Sequence, residues 1–319
     1  MDHRILNPDP SPGEPEKTDP LRIFLGVCVG VLTAVVFGLG GFALVYNNVF
    51  NQMGVVLFIL VPFVTGFATA LVTRRLEILF ASLIIAVLFC TGILLVLGLE
   101  GGVCVLMSLP LISAGLTVGA LLGLLVRYII REWRQERLAK FATLAVLPFF
   151  LIGADWVEKS QFSPRVETIT NSFVTDASRE KAWEQLKTFD RIEGTKGFLM
   201  TIGLPVPVSC SMTGDGVGAT RTCYFEQGHI EERVTEWNPP GSMKFEITTF
   251  DVPGRPWLSF KDAGYELTTE NGRTVITRRT TIVSRLAPAW YWRPLEKIGV
   301  ETEHEYLFEE VKRKIEKVK

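Results

Sequence analysis

Residues 23–46 read IFLGVCVGVLTAVVFGLGGFALVY, an apolar run without a single charged side chain. A helix needs about 20 such residues to cross the ~30 Å hydrocarbon core of a bilayer. Residues 54–73, 78–99 and 103–126 have the same character and a similar length. These runs predict that the first half of the chain is a bundle of membrane-spanning helices.

A fifth apolar segment, residues 139–156, contains Lys140 and Asp155 and has a shorter apolar core. With its flanking residues it just reaches spanning length, and the alternative is an interfacial or re-entrant helix. We predict that it spans, which makes residues 21–157 an all-α transmembrane region of about five helices. The four longer spans hold no acid, base or histidine, which argues against a pump or a transporter of charged substrates.

The first segment, residues 1–20, reads MDHRILNPDPSPGEPEKTDP and is rich in proline and charge. It lacks the apolar residues needed to fold and is expected to be a disordered cytoplasmic tail. A signal peptide would place its apolar core nearer the start, so none is predicted here.

Lysine and arginine mark the predicted cytoplasmic loops, because such residues stay on the inner side of a membrane. The loops between spans one and two and between spans three and four have none. The basic residues fall before span one, between spans two and three, and between spans four and five: Lys17, Arg22, Arg74, Arg75, Arg127, Arg131, Arg134, Arg137 and Lys140. Five spans then give a multi-pass protein of the plasma (inner) membrane with a cytoplasmic N-terminus and a periplasmic or extracellular C-terminal domain. Without the fifth span, that domain would be cytoplasmic.

Gly115, Gly119 and Gly123 form a ladder of small residues at four-residue spacing. Such ladders allow helices to approach closely. The ladder therefore predicts packing against the protein's own helices or, alternatively, a homo-oligomer formed through the transmembrane helices.

Residues 158–319 carry most of the charge and are predicted to form a separate α+β domain. The link 158–163 spans only about 20 Å when extended, which keeps this domain at the membrane surface. The formal net charge of −1 gives no electrostatic support for a nucleic-acid partner.

Period-two alternation, turn residues and one helical stripe outline the second domain. The turn Glu270-Asn271-Gly272 is a strong hairpin signal. Val300, His304, Leu307, Val311 and Ile315 form the apolar stripe of a final helix. The predicted strands are 165–175, 218–225, 229–237, 242–250, 257–261, 264–269 and 273–284. The predicted helices are 177–187, an irregular 190–200, and 294–317.

Two motifs in this half resemble the START-like SRPBCC superfamily, in its polyketide cyclase/dehydrase and lipid-transport branch. They are Gly214-Asp215-Gly216-Val217-Gly218-Ala219-Thr220-Arg221 and, after Gly228, Glu232-Arg233-Val234-Thr235-Glu236-Trp237-Asn238-Pro239. The resemblance covers about residues 165–317. It implies a helix-grip fold, in which an antiparallel sheet wraps around a long C-terminal helix and encloses an apolar pocket. Family members bind lipids, polyketides or hormones, and a minority are enzymes.

The candidate ligand-binding residues are Arg221, Glu232, Tyr265 and His304. His304 interrupts an apolar stripe, so it is either a satisfied core residue or a polar anchor facing the cavity. Arg221 and Glu232 would lie opposite it on strands, and Tyr265 would offer a hydroxyl. No Ser-His-Asp or Cys-His arrangement is visible, and no catalytic residue, metal site or cofactor is predicted.

Two cysteines, Cys210 and Cys223, lie in the C-terminal half, where they either form a disulfide outside the cytoplasm or remain small buried residues. Trp290, Tyr291 and Trp292 precede the last helix. They fit an aromatic belt at the membrane interface or, alternatively, a cap over the pocket.

These observations lead to a membrane-anchored domain that binds a hydrophobic small molecule or lipid in an internal cavity. The expected partners are membrane lipids and that hydrophobic molecule. The alternatives are a polyketide-cyclase-like enzyme that uses Arg221, Glu232 and His304 as acid–base groups, and an interaction or signalling protein without a ligand.

Overall fold

A computed structural model describes residues 20–46, 54–73, 75–97, 101–130, 136–161, 163–252 and 258–317. The predicted disordered tail, except for Pro20, lies outside this part of the chain. The helices of the first half are α1 (Pro20–Tyr46), α2 (Val61–Val72), α3 (Leu76–Val96), α4 (Gly102–Ile130) and α5 (Glu136–Gln161).

Four of the described helices are long and apolar enough to cross a membrane, not the five that the sequence predicted. Segment 139–156, the doubtful one in the sequence, belongs to α5 and reaches that length. The short helix is α2, which together with a preceding π-helical turn, Val56–Leu60, covers only 17 residues. It ends at Thr73, whose backbone is extended, with φ −80° and ψ 138°. At a rise of about 1.5 Å per residue it is roughly 25 Å long.

Helix α2 lies at the centre of the bundle, since nearly all of its side chains are buried. The glycine ladder of α4 packs along it. A Cβ on Gly115 or Gly123 would come within 2.7 Å of the carbonyl oxygen of Ile59 or Phe67, and one on Gly119 would overlap that of Phe63. The ladder therefore packs the protein's own helices.

The order of contacts gives the helix directions. Along α1, the positions of Gly26, Gly30 and Gly38 face Ile78, Ser82 and Cys90 in the same order, so α1 and α3 run parallel. The ladder contacts likewise make α2 parallel to α4.

The C-terminal half contains a seven-stranded antiparallel sheet of order β1-β7-β6-β5-β4-β3-β2. Its strands are β1 (Arg165–Thr175), β2 (Pro207–Met212), β3 (Thr220–Phe225), β4 (His229–Asn238), β5 (Ser242–Asp251), β6 (Leu258–Glu270) and β7 (Arg273–Ser284). Its helices are α6 (Arg179–Lys187), α7 (Phe198–Thr201) and α8 (Ala289–Lys317). A curled sheet with a long C-terminal helix is the predicted helix-grip arrangement.

Segment 190–200, predicted as an irregular helix, is extended up to the short helix α7. Its backbone bonds to the edge of the sheet instead. Phe189 and Cys210 exchange two hydrogen bonds of 2.8 Å, and the amide of Ile192 donates to the carbonyl of Val208. Strand β2, which the sequence analysis missed, makes this pairing available. The predicted strands 257–261 and 264–269 are parts of the single strand β6.

Helix α8 begins at Ala289, earlier than predicted, and its predicted stripe is buried throughout. The C-terminal part of the stripe fills the core: Leu307, Val311 and Ile315 pack in one cluster with residues of the sheet and of α6. Val300, at the N-terminal end of the stripe, lies in a second cluster. Trp292, which precedes the stripe, lies in a third cluster that is shared with the helical bundle.

Candidate functional site

The two halves of the chain meet at the N-terminal end of α8. The indole ring of Trp292 lies 4.7 Å from the ring of Phe58, and the Tyr291 hydroxyl donates a hydrogen bond to the Met107 carbonyl. Trp290 is 73% exposed. Of the three aromatic residues that could have formed a belt or a cap, Tyr291 and Trp292 therefore bind the bundle.

One cavity of about 700 Å³ extends from the sheet into the bundle. This volume lies within the range of about 300–1,000 Å³ that is usual for small-molecule sites. In the domain it is lined from β2 to β7 and from α8, and in the bundle from α1, α2, α3 and α4. The bundle residues belong to the helix halves nearest the domain: Ala34 and Gly38, Leu57 and Val61, Ala86 and Cys90, and Val103 and Met107.

The walls of the cavity are mostly apolar, and its charged side chains come from the sheet and from α8: Arg221, Glu232, Arg278, Glu296 and Glu303. Arg221 on β3 and Glu232 on β4 are direct cross-strand partners, so they point to the same side. Their side chains are almost fully buried, and Arg221 Nη1 donates to Glu232 Oε2 at 2.6 Å. The guanidinium also lies 4.9 Å from the centre of the Phe245 ring, a cation–π contact.

A second pair, Arg278 on β7 and Glu303 on α8, also lines the cavity. Arg278 Nη2 donates to both oxygens of Glu303 at 3.0 and 3.1 Å, and Nη1 donates to the hydroxyl of Tyr265. Burial, the largest single effect, works against the charge of Arg278, but Glu303, Tyr265 and Glu232 together outweigh it and raise the pKa of Arg278. Burial raises the pKa of Glu303, against the opposing effect of Arg278.

Three buried nitrogens of these arginines lack a hydrogen-bond partner among the described residues: Nε and Nη2 of Arg221 and Nε of Arg278. A buried donor without an acceptor costs about 1–3 kcal/mol. Such groups are rare in folded proteins, and these three lie on residues that line the cavity.

Of the four predicted site residues, two line the cavity and two do not. Arg221 and Glu232 line the cavity, whereas Tyr265 supports Arg278 from behind and is not among the lining residues. His304 is fully buried and also absent from the lining. Its Nε2 is 2.7 Å from Thr280 Oγ1, and its Nδ1 is 2.8 Å from Asn171 Oδ1. Burial and, secondly, the charge of Arg278 lower the pKa of His304 to about 2, so the ring is neutral.

The sequence analysis missed Arg278 and Glu303. A signal for both was present in the sequence. Arg278 lies two residues from Ile276 and from Thr280, on the same buried face of β7. Glu303 lies three residues after Val300 and four before Leu307, on the side of α8 that faces the sheet.

Cys210 and Cys223, opposite each other on β2 and β3, form a disulfide and contribute to the cavity wall. The glycine run 214–218 forms the turn between these strands, with positive φ at Gly216 and Gly218, and does not line the cavity. The described residues contain no group of three or more His, Cys, Asp or Glu that could hold a metal ion.

No family model matches the chain, and no curated protein matches it. A search of solved structures does find matches. A protein from Mesorhizobium loti is 13% identical, covers 48% of this chain and 99% of its own, and superposes with a TM-score of 0.34. The Zhui aromatase/cyclase from a Streptomyces species is 13% identical, with 47% and 96% covered and a TM-score of 0.33. Norcoclaurine synthase from Thalictrum flavum is 14% identical, with 48% and 98% covered and a TM-score of 0.32.

Proposed function

We propose that this protein is a membrane protein that binds a hydrophobic small molecule, specifically a lipid of the surrounding bilayer, in the cavity between its two halves. The single observation that carries the proposal is the continuity of that cavity. It begins among the charged residues of the sheet and ends between helices long and apolar enough to span a membrane. Such a cavity would hold the apolar part of a molecule among the helices and its polar part in the domain.

The proposal includes an orientation, with the N-terminus in the cytoplasm and the domain outside. A chain that reverses direction at every loop, with α2 crossing despite its short length, would make α1 parallel to α3 and α2 parallel to α4, as observed. Contacts at the two ends of α2 are consistent with the same orientation. Arg127, a predicted cytoplasmic residue, donates to the carbonyls of Ala70 and Thr73 at the end of α2. Glu158, near the domain, accepts hydrogen bonds from the amides of Val55 and Val56 at the other end.

Two alternatives have less support. Catalysis by Arg221, Glu232 and His304 requires three groups at one reacting molecule, but His304 does not line the cavity and both its ring nitrogens are engaged. An interaction protein without a ligand would be expected to fill its core, whereas this domain keeps a large cavity.

The test is native mass spectrometry of the full-length protein, released from lipid nanodiscs, with identification of the extracted molecules. We expect one lipid per chain. The variant Gly299→Leu should reduce occupancy, because Gly299 lines the cavity and an added Cβ would meet Leu204 Cδ1 only at 3.7 Å, an ordinary contact distance. Lys297→Leu places the same side chain at an exposed position of α8 and should not reduce it. A wild-type protein that carries no lipid and takes up none would refute the proposal.

A further inference from the structure

Two arginines that line the cavity have buried side-chain nitrogens without a hydrogen-bond partner among the described residues. The three partnerless buried atoms are all N–H donors, and no carboxylate oxygen of Glu232 or Glu303 is among them. Two of the three belong to Arg221, which is only 1% exposed. Within the described residues, Arg221 and Arg278 therefore retain buried N–H groups without an acceptor.

Guanidinium groups favour one class of acceptor. Their forked N–H groups match the several oxygens of a carboxylate or phosphate, and such charge-assisted bonds are stronger than bonds to a neutral oxygen. Arg221 and Arg278 come from different strands, both line the cavity, and the charges of both act on Glu303. The raised pKa of Glu303 supplies a carboxyl that takes up a proton readily and so offsets an added negative charge.

The opposite end of the cavity has no charged side chain in its lining and is mostly apolar, which suits a hydrocarbon chain. There it is lined by Ala34, Gly38, Ala86 and Cys90 of α1 and α3. A long chain placed here runs along the helices, while its head lies in the domain. In the proposed topology this is the orientation of a lipid in the outer leaflet, whose head already faces the domain, so entry requires no inversion.

We propose that the ligand is an amphiphile with an anionic head group, a carboxylate or a phosphate monoester, which Arg221 and Arg278 bind while its chain extends into the helical bundle. The inference rests on the proposed function and narrows its ligand class.

The experiment compares probes that share one saturated hexadecyl chain: hexadecanoate, hexadecyl phosphate and the neutral hexadecanol. Binding to the delipidated full-length protein is measured in nanodiscs of zwitterionic lipid. We expect at least one anionic probe to bind roughly tenfold or more tightly than the alcohol. The two anionic probes distinguish a free fatty acid from a phosphate-bearing lipid as the source of the head group.

The double variant Arg221→Met/Glu232→Met removes a whole buried pair, because deleting one partner alone would leave an unpaired buried charge. It should lose the preference for anions and keep affinity for the alcohol. Arg279→Met/Glu266→Met removes an exposed pair on β7 and β6 and should keep the preference.

Equal binding of acid, phosphate and alcohol by the wild-type protein would overturn this inference and leave the proposed function intact. Binding of none of them would overturn both. The wild-type comparison needs no variant, so the inference remains testable even if the double variant does not fold.

Discussion

The indole of Trp292, on the first turn of α8, packs against the ring of Phe58, in the π-helical turn before α2. Trp292 is 4% exposed and belongs to a core cluster made largely of bundle residues. The contact therefore joins the domain to the helical half at the point where the cavity passes from one to the other.

Replacing Trp292 should loosen that junction. We expect Trp292→Ala to lower the free energy of unfolding by about 3–5 kcal/mol, as for other large buried aromatic residues. It should also speed proteolysis of the chain between α5 and β1. Trp290→Ala, at an exposed neighbouring position, should change stability by no more than about 0.5 kcal/mol. Thermal unfolding and limited proteolysis in detergent measure both effects, and equal results for the two variants would contradict this role.

The glycine ladder allows a sharp comparison within the bundle. A methyl group on Gly119 would overlap the carbonyl oxygen of Phe63, whereas one on Gly92 in α3 would meet no atom of the other described segments within 4 Å. We expect Gly119→Ala to cost about 1–3 kcal/mol through overpacking, and Gly92→Ala to be neutral or slightly stabilising. Unfolding by titration with a denaturing detergent would show the difference. A neutral Gly119→Ala would mean that α2 and α4 are farther apart.

His304 should give the domain a distinct dependence on pH. Its pKa is lowered from 6.5 to about 2 by burial, so below pH 6.5 the unfolded chain takes up a proton that the folded chain refuses. Its contribution to stability is therefore complete above pH 6.5 and falls with decreasing pH by about 1.4 kcal/mol per unit.

The variant His304→Gln should be less stable at neutral pH and should lose less stability on acidification. His229→Gln, at a partly exposed site near Asp251, should retain the wild-type slope. Melting temperatures recorded between about pH 7 and pH 4 give the slopes. Identical slopes for wild type and His304→Gln would argue against a neutral buried imidazole.

The disulfide offers a test of the stability of the domain and of the side of the membrane on which the domain lies. Cys210 and Cys223 enclose a short loop, and replacing both with serine should cost about 2–4 kcal/mol. Disulfides persist outside the reducing cytoplasm. Alkylation of protein from intact cells, followed by mass spectrometry, should therefore modify Cys210 and Cys223 only after reduction. Modification without reduction would place the domain on the cytoplasmic side.

The sequence by itself determined the features that depend on local composition. Apolar runs identified the helices of the bundle, because insertion into a bilayer depends on length and hydrophobicity. Asn271-Gly272 identified the β6–β7 hairpin, where both residues have positive φ, because that turn requires such a conformation. The buried stripe of α8 followed from helical periodicity, and Arg221 and Glu232 were singled out as candidate site residues.

The tertiary structure decided what depends on residues far apart in the chain. Pairing with β2 decided that segment 190–200 is not a helix up to α7. The packing of α2 against α4 decided which helix the glycine ladder contacts. His304 was placed behind the cavity wall by Thr280 and Asn171. Arg278 and Glu303 came together across the space between β7 and α8. The cavity follows from the same cause, since its walls come from both halves of the chain and no local pattern of residues encodes a space between them.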